Sequence, residues 1–138
     1  MSSVVLDASA LLALLNNEPG AEYVERAIAE GGGVVSMVNW AEVLTKAVEA
    51  GKSPEAVCEH FARSALVGVR FGIEALTEED AEAIARLRPL TRVAGLGLGL
   101  GDRAWLALAK RLGAPCVTTD RAWEALARAT GVEVRIAR

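Results

Sequence analysis

Gly97-Leu98-Gly99-Leu100-Gly101-Asp102-Arg103-Ala104-Trp105, followed through to Thr118-Thr119-Asp120-Arg121-Ala122-Trp123, is the stretch whose reading decides the fold. It reads as loop, helix, turn, buried strand and the start of a second helix. Trp105, Leu108, Ala109 and Leu112 recur at helical spacing, so the first helix buries one face. Gly113 is placed to close that helix in a left-handed conformation, and Pro115 prevents its continuation. Cys116-Val117-Thr118 is then a short apolar run of the kind a covered parallel strand shows. Asp102 stands where the helix begins and Asp120 where the strand ends. Ligand sites in such sheets form outside the carboxyl ends of the strands, so both aspartates are expected to face one crevice.

The chain on either side repeats the alternation. Val4-Val5-Leu6 is a short buried strand ending in Asp7-Ala8-Ser9, and a helix follows through Leu11, Leu12, Leu14 and Leu15 until Asn16-Asn17-Glu18-Pro19-Gly20 breaks it. A second helix over about 21–30 carries Tyr23, Val24, Ala27 and Ile28 as its apolar stripe, and Gly31-Gly32-Gly33 ends it. Val34-Val35-Ser36-Met37 is the next strand. Asn39-Trp40-Ala41-Glu42 then opens a helix to about Ala50, with Trp40, Val43, Leu44, Ala47 and Val48 facing the core. Ser53-Pro54 starts a fourth helix to about Ala65. Val67 to Phe71 reads as a strand or an extended connection. Thr77 and Asp80 form a capping box for a helix through Leu87, with Glu78, Glu79, Asp80 and Glu82 as a solvated acidic face. Pro89 and the glycines at 95, 97, 99 and 101 make the connection to Asp102. A phosphate-loop reading of these glycines is rejected, because no Gly-Lys-Ser/Thr follows and no convincing strand precedes them. Gly131 closes a helix over Trp123 to Thr130, and Val132 to Ile136 is a last strand at a possible sheet edge.

At 138 residues, 52% of them hydrophobic, the chain is read as one domain spanning 1–138 with a core of Ala, Leu and Val. Met1-Ser2-Ser3 leads straight into a strand-like run, and the longest apolar run, Val93 to Leu100, is too short and glycine-rich to span a bilayer. A soluble cytoplasmic protein, not a membrane one, is expected. Cys58 and Cys116 cannot make a metal site alone and are expected to be free, buried thiols. His60, the only histidine, is read as a helix-surface residue. The net charge of −3 conceals an asymmetry, with residues 1–85 acidic and residues 86–138 basic. The basic half is either a polyanion-binding face or a set of cations such as Lys110, Arg111 and Arg128 serving helix C-termini.

Alternating strands and helices imply a three-layer α/β/α fold with a mainly parallel central sheet. On that scaffold Asp7, Glu42, Asp102 and Asp120 recur at strand-to-helix transitions. Each alone reads as a helix cap or a dipole partner. Four together favour a shared site, in which clustered carboxylates raise one another's pKa unless a cation neutralises them. Hard oxygen donors without cysteine or histidine suit Mg²⁺ or Mn²⁺ and so phosphoryl chemistry, where the ion activates water and steadies the phosphate. Ser9 could cap the first helix or orient a carboxylate.

Val4-Val5-Leu6-Asp7-Ala8-Ser9-Ala10-Leu11-Leu12, Asn39-Trp40-Ala41-Glu42-Val43, Leu100-Gly101-Asp102-Arg103-Ala104 and Val117-Thr118-Thr119-Asp120 together resemble the PIN-domain ribonucleases. More narrowly, they look like the toxin subunits of VapBC toxin–antitoxin pairs. The resemblance covers essentially the whole chain, in order. It implies a Mg²⁺ or Mn²⁺ site in which Asp7, Glu42, Asp102 and Asp120 are the catalytic and metal-ligating acids, with Ser9 and Thr118 as the polar residues behind them. It also implies endonucleolytic cleavage of RNA, a homodimer, and inhibition by a VapB-like antitoxin whose C-terminal segment enters the site. Trp40 and Trp105 are read as core residues. Two other readings stand beside this one. In the first, Asp7 is a phosphoryl-accepting nucleophile, although position 9 is Ser and not a second aspartate. In the second, the chain is a catalytically weak binding module of the same fold that grips a partner.

Overall fold

In the computed structural model, which describes residues 3–63, 71–93 and 99–137, five strands form one sheet in the order β3-β2-β1-β4-β5. They are β1 (Val4–Leu6), β2 (Gly33–Ser36), β3 (Phe71–Glu74), β4 (Cys116–Thr118) and β5 (Val134–Ile136). Every pairing is parallel. The helices are α1 (Ala8–Asn16), α2 (Ala21–Gly31), α3 (Met37–Glu49), α4 (Pro54–Arg63), α5 (Glu78–Val93), α6 (Leu100–Leu112) and α7 (Trp123–Thr130). Side chains alternate across a pleated strand, and the core divides accordingly. Val4, Leu6, Val35 and Val117 pack with α1 to α4 around Leu11, Ile28, Val43 and Phe61. Val5, Val34 and Cys116 face the other way, onto Trp105, Leu106 and Leu108 of α6 and Trp123 of α7. The three-layer α/β/α arrangement expected from the sequence is therefore the one observed.

Trp105 binds the second layer to the sheet. Its ring is fully buried, meets Trp123 edge-on at a centroid distance of 4.9 Å, and donates its indole N–H to the Val5 carbonyl at 3.0 Å. Trp40 packs edge-on against Phe61 at 5.6 Å in the first layer. Both tryptophans are core residues, as read. Gly113 closes α6 at φ +62 and Gly131 closes α7 at φ +71, the left-handed caps that glycine adopts at no steric cost.

Several local expectations are corrected. Helix α3 starts at Met37, because Ser36 caps it by accepting from the Asn39 N–H at 3.1 Å. Helix α5 does not stop at Leu87 but runs on through Pro89 to Val93. Proline removes one backbone hydrogen bond, and the antiparallel packing of α5 along α6 outweighs that loss. The capping box is present, with Asp80 N–H on Thr77 Oγ1 and Thr77 N–H on Asp80 Oδ2. Asp80 is nevertheless not part of a solvated face: it is 1% exposed and paired with Arg111 at 2.9 Å. Tyr23, Val48 and Leu112 lie at the margins of their helices' buried stripes and are exposed. Cys116 is buried as expected, but Cys58, on the outer face of α4, is exposed. His60 is exposed, as read. The end of the fourth helix at 64–65, the strand reading at 67–70 and the glycines at 95 and 97 lie outside the described residues. Among the described residues no helix is long and apolar enough to cross a membrane.

Candidate active site

The carboxyl ends of β2, β1 and β4 lie side by side; an acid follows β1 and β4 directly or within two residues, while the acid after β2, Glu42, lies beyond the first turn of α3 and not in it as the sequence reading has it. β1 ends at Leu6, and Asp7 caps α1 by accepting the Ala10 N–H at 2.9 Å. The Ser9 hydroxyl donates to the same Oδ1 at 2.7 Å, and the Thr118 hydroxyl also hydrogen-bonds the carboxylate. Ser9 Oγ lies 3.1 Å from Thr118 Oγ1 and accepts the Thr119 N–H at 3.2 Å. Thr118 Oγ1 in turn accepts the Asp120 N–H at 3.1 Å. A continuous polar chain thus runs from Asp7 through Ser9 and Thr118 to the backbone of Asp120. The Asp120 carboxylate accepts the Ala122 N–H at 3.0 Å, a short turn that leaves the rest of its side chain exposed.

Asp102 enters from α6. Its N-terminal cap is Gly99, which offers no side-chain hydrogen bond, and the Asp102 carboxylate accepts the Gly99 N–H instead. Glu42 comes from α3 and is exposed, but its Oε1 accepts Asn39 Nδ2 at 2.9 Å. The same amide nitrogen donates to the Gly101 carbonyl at 3.0 Å, tying α3 to the first turn of α6.

Asp7 and Asp102 are each perturbed by acidic neighbours. Burial pushes the Asp7 carboxyl up to about 6; hydrogen bonds from Thr118, Ala10 and Ser9 oppose that shift, and repulsion from Asp102 adds to it. Asp102 is also raised, first by burial and then by Glu42, with a smaller push from Asp120. Asp102 is therefore the hub through which Asp7, Glu42 and Asp120 are coupled. Among the described residues, no three His, Cys, Asp or Glu side chains are gathered closely enough to hold a metal ion together.

Asn39 and Ser36 carry part of this geometry and are not among the residues singled out from the sequence. Ser36 is fully buried, and its hydroxyl donates to Asn39 Oδ1 at 2.6 Å. The signal was the spacing Ser36-x-x-Asn39-x-x-Glu42, which puts three polar side chains on one face at the start of a helix.

The two readings of the basic half are partly resolved by its pairing. Arg111 is engaged by Asp80 and Glu74, Arg103 donates to the Ile84 carbonyl, and Arg135 pairs with Glu133. These cations hold structure. Arg121, next to Asp120, and Arg128 are exposed.

The domain is a parallel three-layer one with Asp7 and Asp120 just beyond the ends of its central strands β1 and β4. The family profile of the PIN domain matches residues 4–129, and the chain belongs to that family. No curated protein matches it. Similar solved structures include VapBC2 from Rickettsia felis bound to a DNA fragment from their promoter. That match has a TM-score of 0.75 and 18% identity, and covers 99% of each chain. DNA-bound VapBC from Salmonella typhimurium matches at TM-score 0.72 and 16% identity over the whole of both chains. Mycobacterium tuberculosis VapC20, a toxin that cleaves the sarcin-ricin loop, matches at TM-score 0.68 and 18% identity, covering 89% of this chain and 94% of its own.

Proposed function

We propose that this PIN domain is a divalent-metal-dependent endoribonuclease and the toxin of a VapBC-type pair, acting in the cytoplasm and restrained by a VapB-like antitoxin. The observation that carries the reading is the coupling of Asp7, Glu42 and Asp120 through Asp102 at the strand ends, two of the four being partly or wholly withdrawn from water. Like-charged groups are costly to hold so, and a cation bound among them relieves the cost. The donor set fits Mg²⁺ or Mn²⁺. All four donors are carboxylate oxygens, and an ion that keeps most of its waters needs only one or two direct carboxylates. A close gathering of three acids is therefore not required. Asp7, Glu42 and Asp102 would hold the ion, with Asp120 at the outer, exposed side. When bound, such an ion lowers the pKa of water and offsets negative charge at a phosphodiester.

The chain's own groups have separate tasks. Ser9 and Thr118 hydrogen-bond the Asp7 carboxylate and so restrict its rotamer. Arg121, exposed beside Asp120, is placed to meet the flanking phosphates of a strand. The RNA target, the homodimer and the antitoxin belong to this proposal through the fold shared with the toxin–antitoxin structures. The test is Mn²⁺ titration of the antitoxin-free chain with cleavage of a mixed RNA pool followed in parallel. Cleavage tracking metal occupancy supports the proposal. A folded, metal-binding chain that leaves RNA intact would redirect it to the binding-module reading.

A further inference from the structure

The buried amide of Asn39 links one proposed ligand, Glu42, to the backbone of the residue before another, Asp102. It is 1% exposed, and three of its hydrogen-bonding positions are filled: Oδ1 by Ser36 Oγ at 2.6 Å, and the two Nδ2 protons by Glu42 Oε1 at 2.9 Å and the Gly101 carbonyl at 3.0 Å. The Glu42 carboxylate and the Gly101 carbonyl, both acceptors only, fix which end of the amide faces them, since an oxygen there would leave both unpaired. Gly101 completes the arrangement from the opposite side. A Cβ at that position would overlap the Glu42 carboxylate, lying 2.6 Å from its Cδ. The Glu42 carboxylate thus lies directly over the backbone of the residue preceding Asp102, held there by one amide and admitted by one missing side chain.

We infer that Asn39 is a positioning residue that, with Gly101, sets the spacing between the Glu42 and Asp102 carboxylates and so the fit of a divalent cation between them. This rests on the assignment of Glu42 and Asp102 as ligands made above. Glu42 alone is an exposed side chain on flexible bonds, and an unrestrained carboxylate loses rotamer entropy on binding an ion. The Asn39 hydrogen bond removes that freedom beforehand. Residues behind a metal ligand commonly influence affinity by about 10- to 100-fold, and the same range is expected here.

The experiment is Mn²⁺ binding followed by electron paramagnetic resonance of free Mn²⁺, on the unaltered chain and on Asn39→Ala, Gly101→Ala, Glu42→Ala and the Asn39→Ala/Glu42→Ala pair. Asn39→Ala and Gly101→Ala are each expected to weaken binding about 10- to 100-fold. In the Glu42→Ala background, Asn39→Ala is expected to change nothing further, because the carboxylate it positions is gone. A structural role alone would give the same loss in both backgrounds, and that result overturns the inference. Gly101→Ala places a better helix former in α6, so this arm decides the matter if Asn39→Ala does not fold. Normal Mn²⁺ affinity in the folded variants would overturn the inference and leave the site assignment standing. Failure of the unaltered chain to bind Mn²⁺ would overturn both.

Discussion

Asp7→Asn should stabilise the fold at neutral pH while abolishing activity. Asp7 is 7% exposed and its carboxyl is raised from 3.8 to about 6, chiefly by burial. Between those two values the folded chain binds a proton that the unfolded chain does not, so stability falls as pH rises through that window. A shift of about two units at ~1.36 kcal/mol each places the cost of the ionised form at about 3 kcal/mol above pH 6. Asparagine is isosteric and caps helices as well as aspartate. Its Oδ1 keeps the bonds from Ser9 and the Ala10 N–H, and its amide can donate to Thr118 once that hydroxyl turns. The variant should therefore recover up to about 3 kcal/mol at pH 7, or about 10 °C in Tm for a domain of this size. At pH 4 the two chains should differ little, because Asp7 is then largely protonated when folded. Asp102 titrates with the same sign, and the difference between the two chains cancels it. Asp80 has the opposite sign. Burial pushes it up, but Arg111 and Thr77 outweigh burial, so its contribution is full above the ordinary value and is lost only below it. The assay is thermal unfolding by circular dichroism in EDTA from pH 4 to 8. A variant less stable than the parent at pH 7, or a difference that does not change with pH, would refute the reasoning.

Further outcomes follow from the packing. Arg111→Ala leaves Asp80 buried without its cation and should cost about 3–5 kcal/mol in urea unfolding; a loss under about 1 kcal/mol would show the pair to be dispensable. Trp105→Phe removes the donor to the Val5 carbonyl and should cost about 1–3 kcal/mol, with near-neutral behaviour counting against that bond. A thiol reagent should label Cys58 at once and leave Cys116 untouched in the folded chain, because burial pushes the Cys116 thiol far above its usual pKa. Fast labelling of both would contradict the placement of β4.

The framework of the fold could be read from the strand-to-helix transitions, since each short apolar run is followed by an acid or a hydroxyl and then by a helical stripe. Asp7, Glu42, Asp102 and Asp120 stood out only together, because each alone reads as a helix cap or a dipole partner. Asn39 did not, because an amide near a helix start reads as a cap. Its partners, Ser36, Glu42 and the Gly101 carbonyl, come together only when α3 packs on α6. Asp80 was misread for a related reason. Its acidic neighbours are solvated, while its own partner Arg111 arrives from α6, far along the chain. Pro89 shows the limit of local rules, since α5 continues through a residue that commonly ends a helix. The charge asymmetry of the two halves was legible, but its use was not: pairing across α5 and α6 absorbs cations that composition alone could assign to a polyanion.

The measurement that tests the central claim most directly is cleavage of end-labelled RNA by the purified, antitoxin-free chain. It compares Mg²⁺, Mn²⁺ and EDTA, with Asp102→Asn beside the unaltered protein. Asp102 links the other three acids, so internal cleavage should require both the ion and Asp102, with the variant reduced at least about 100-fold while remaining folded. Cleavage that persists in EDTA, or that survives Asp102→Asn at full rate, would contradict the account.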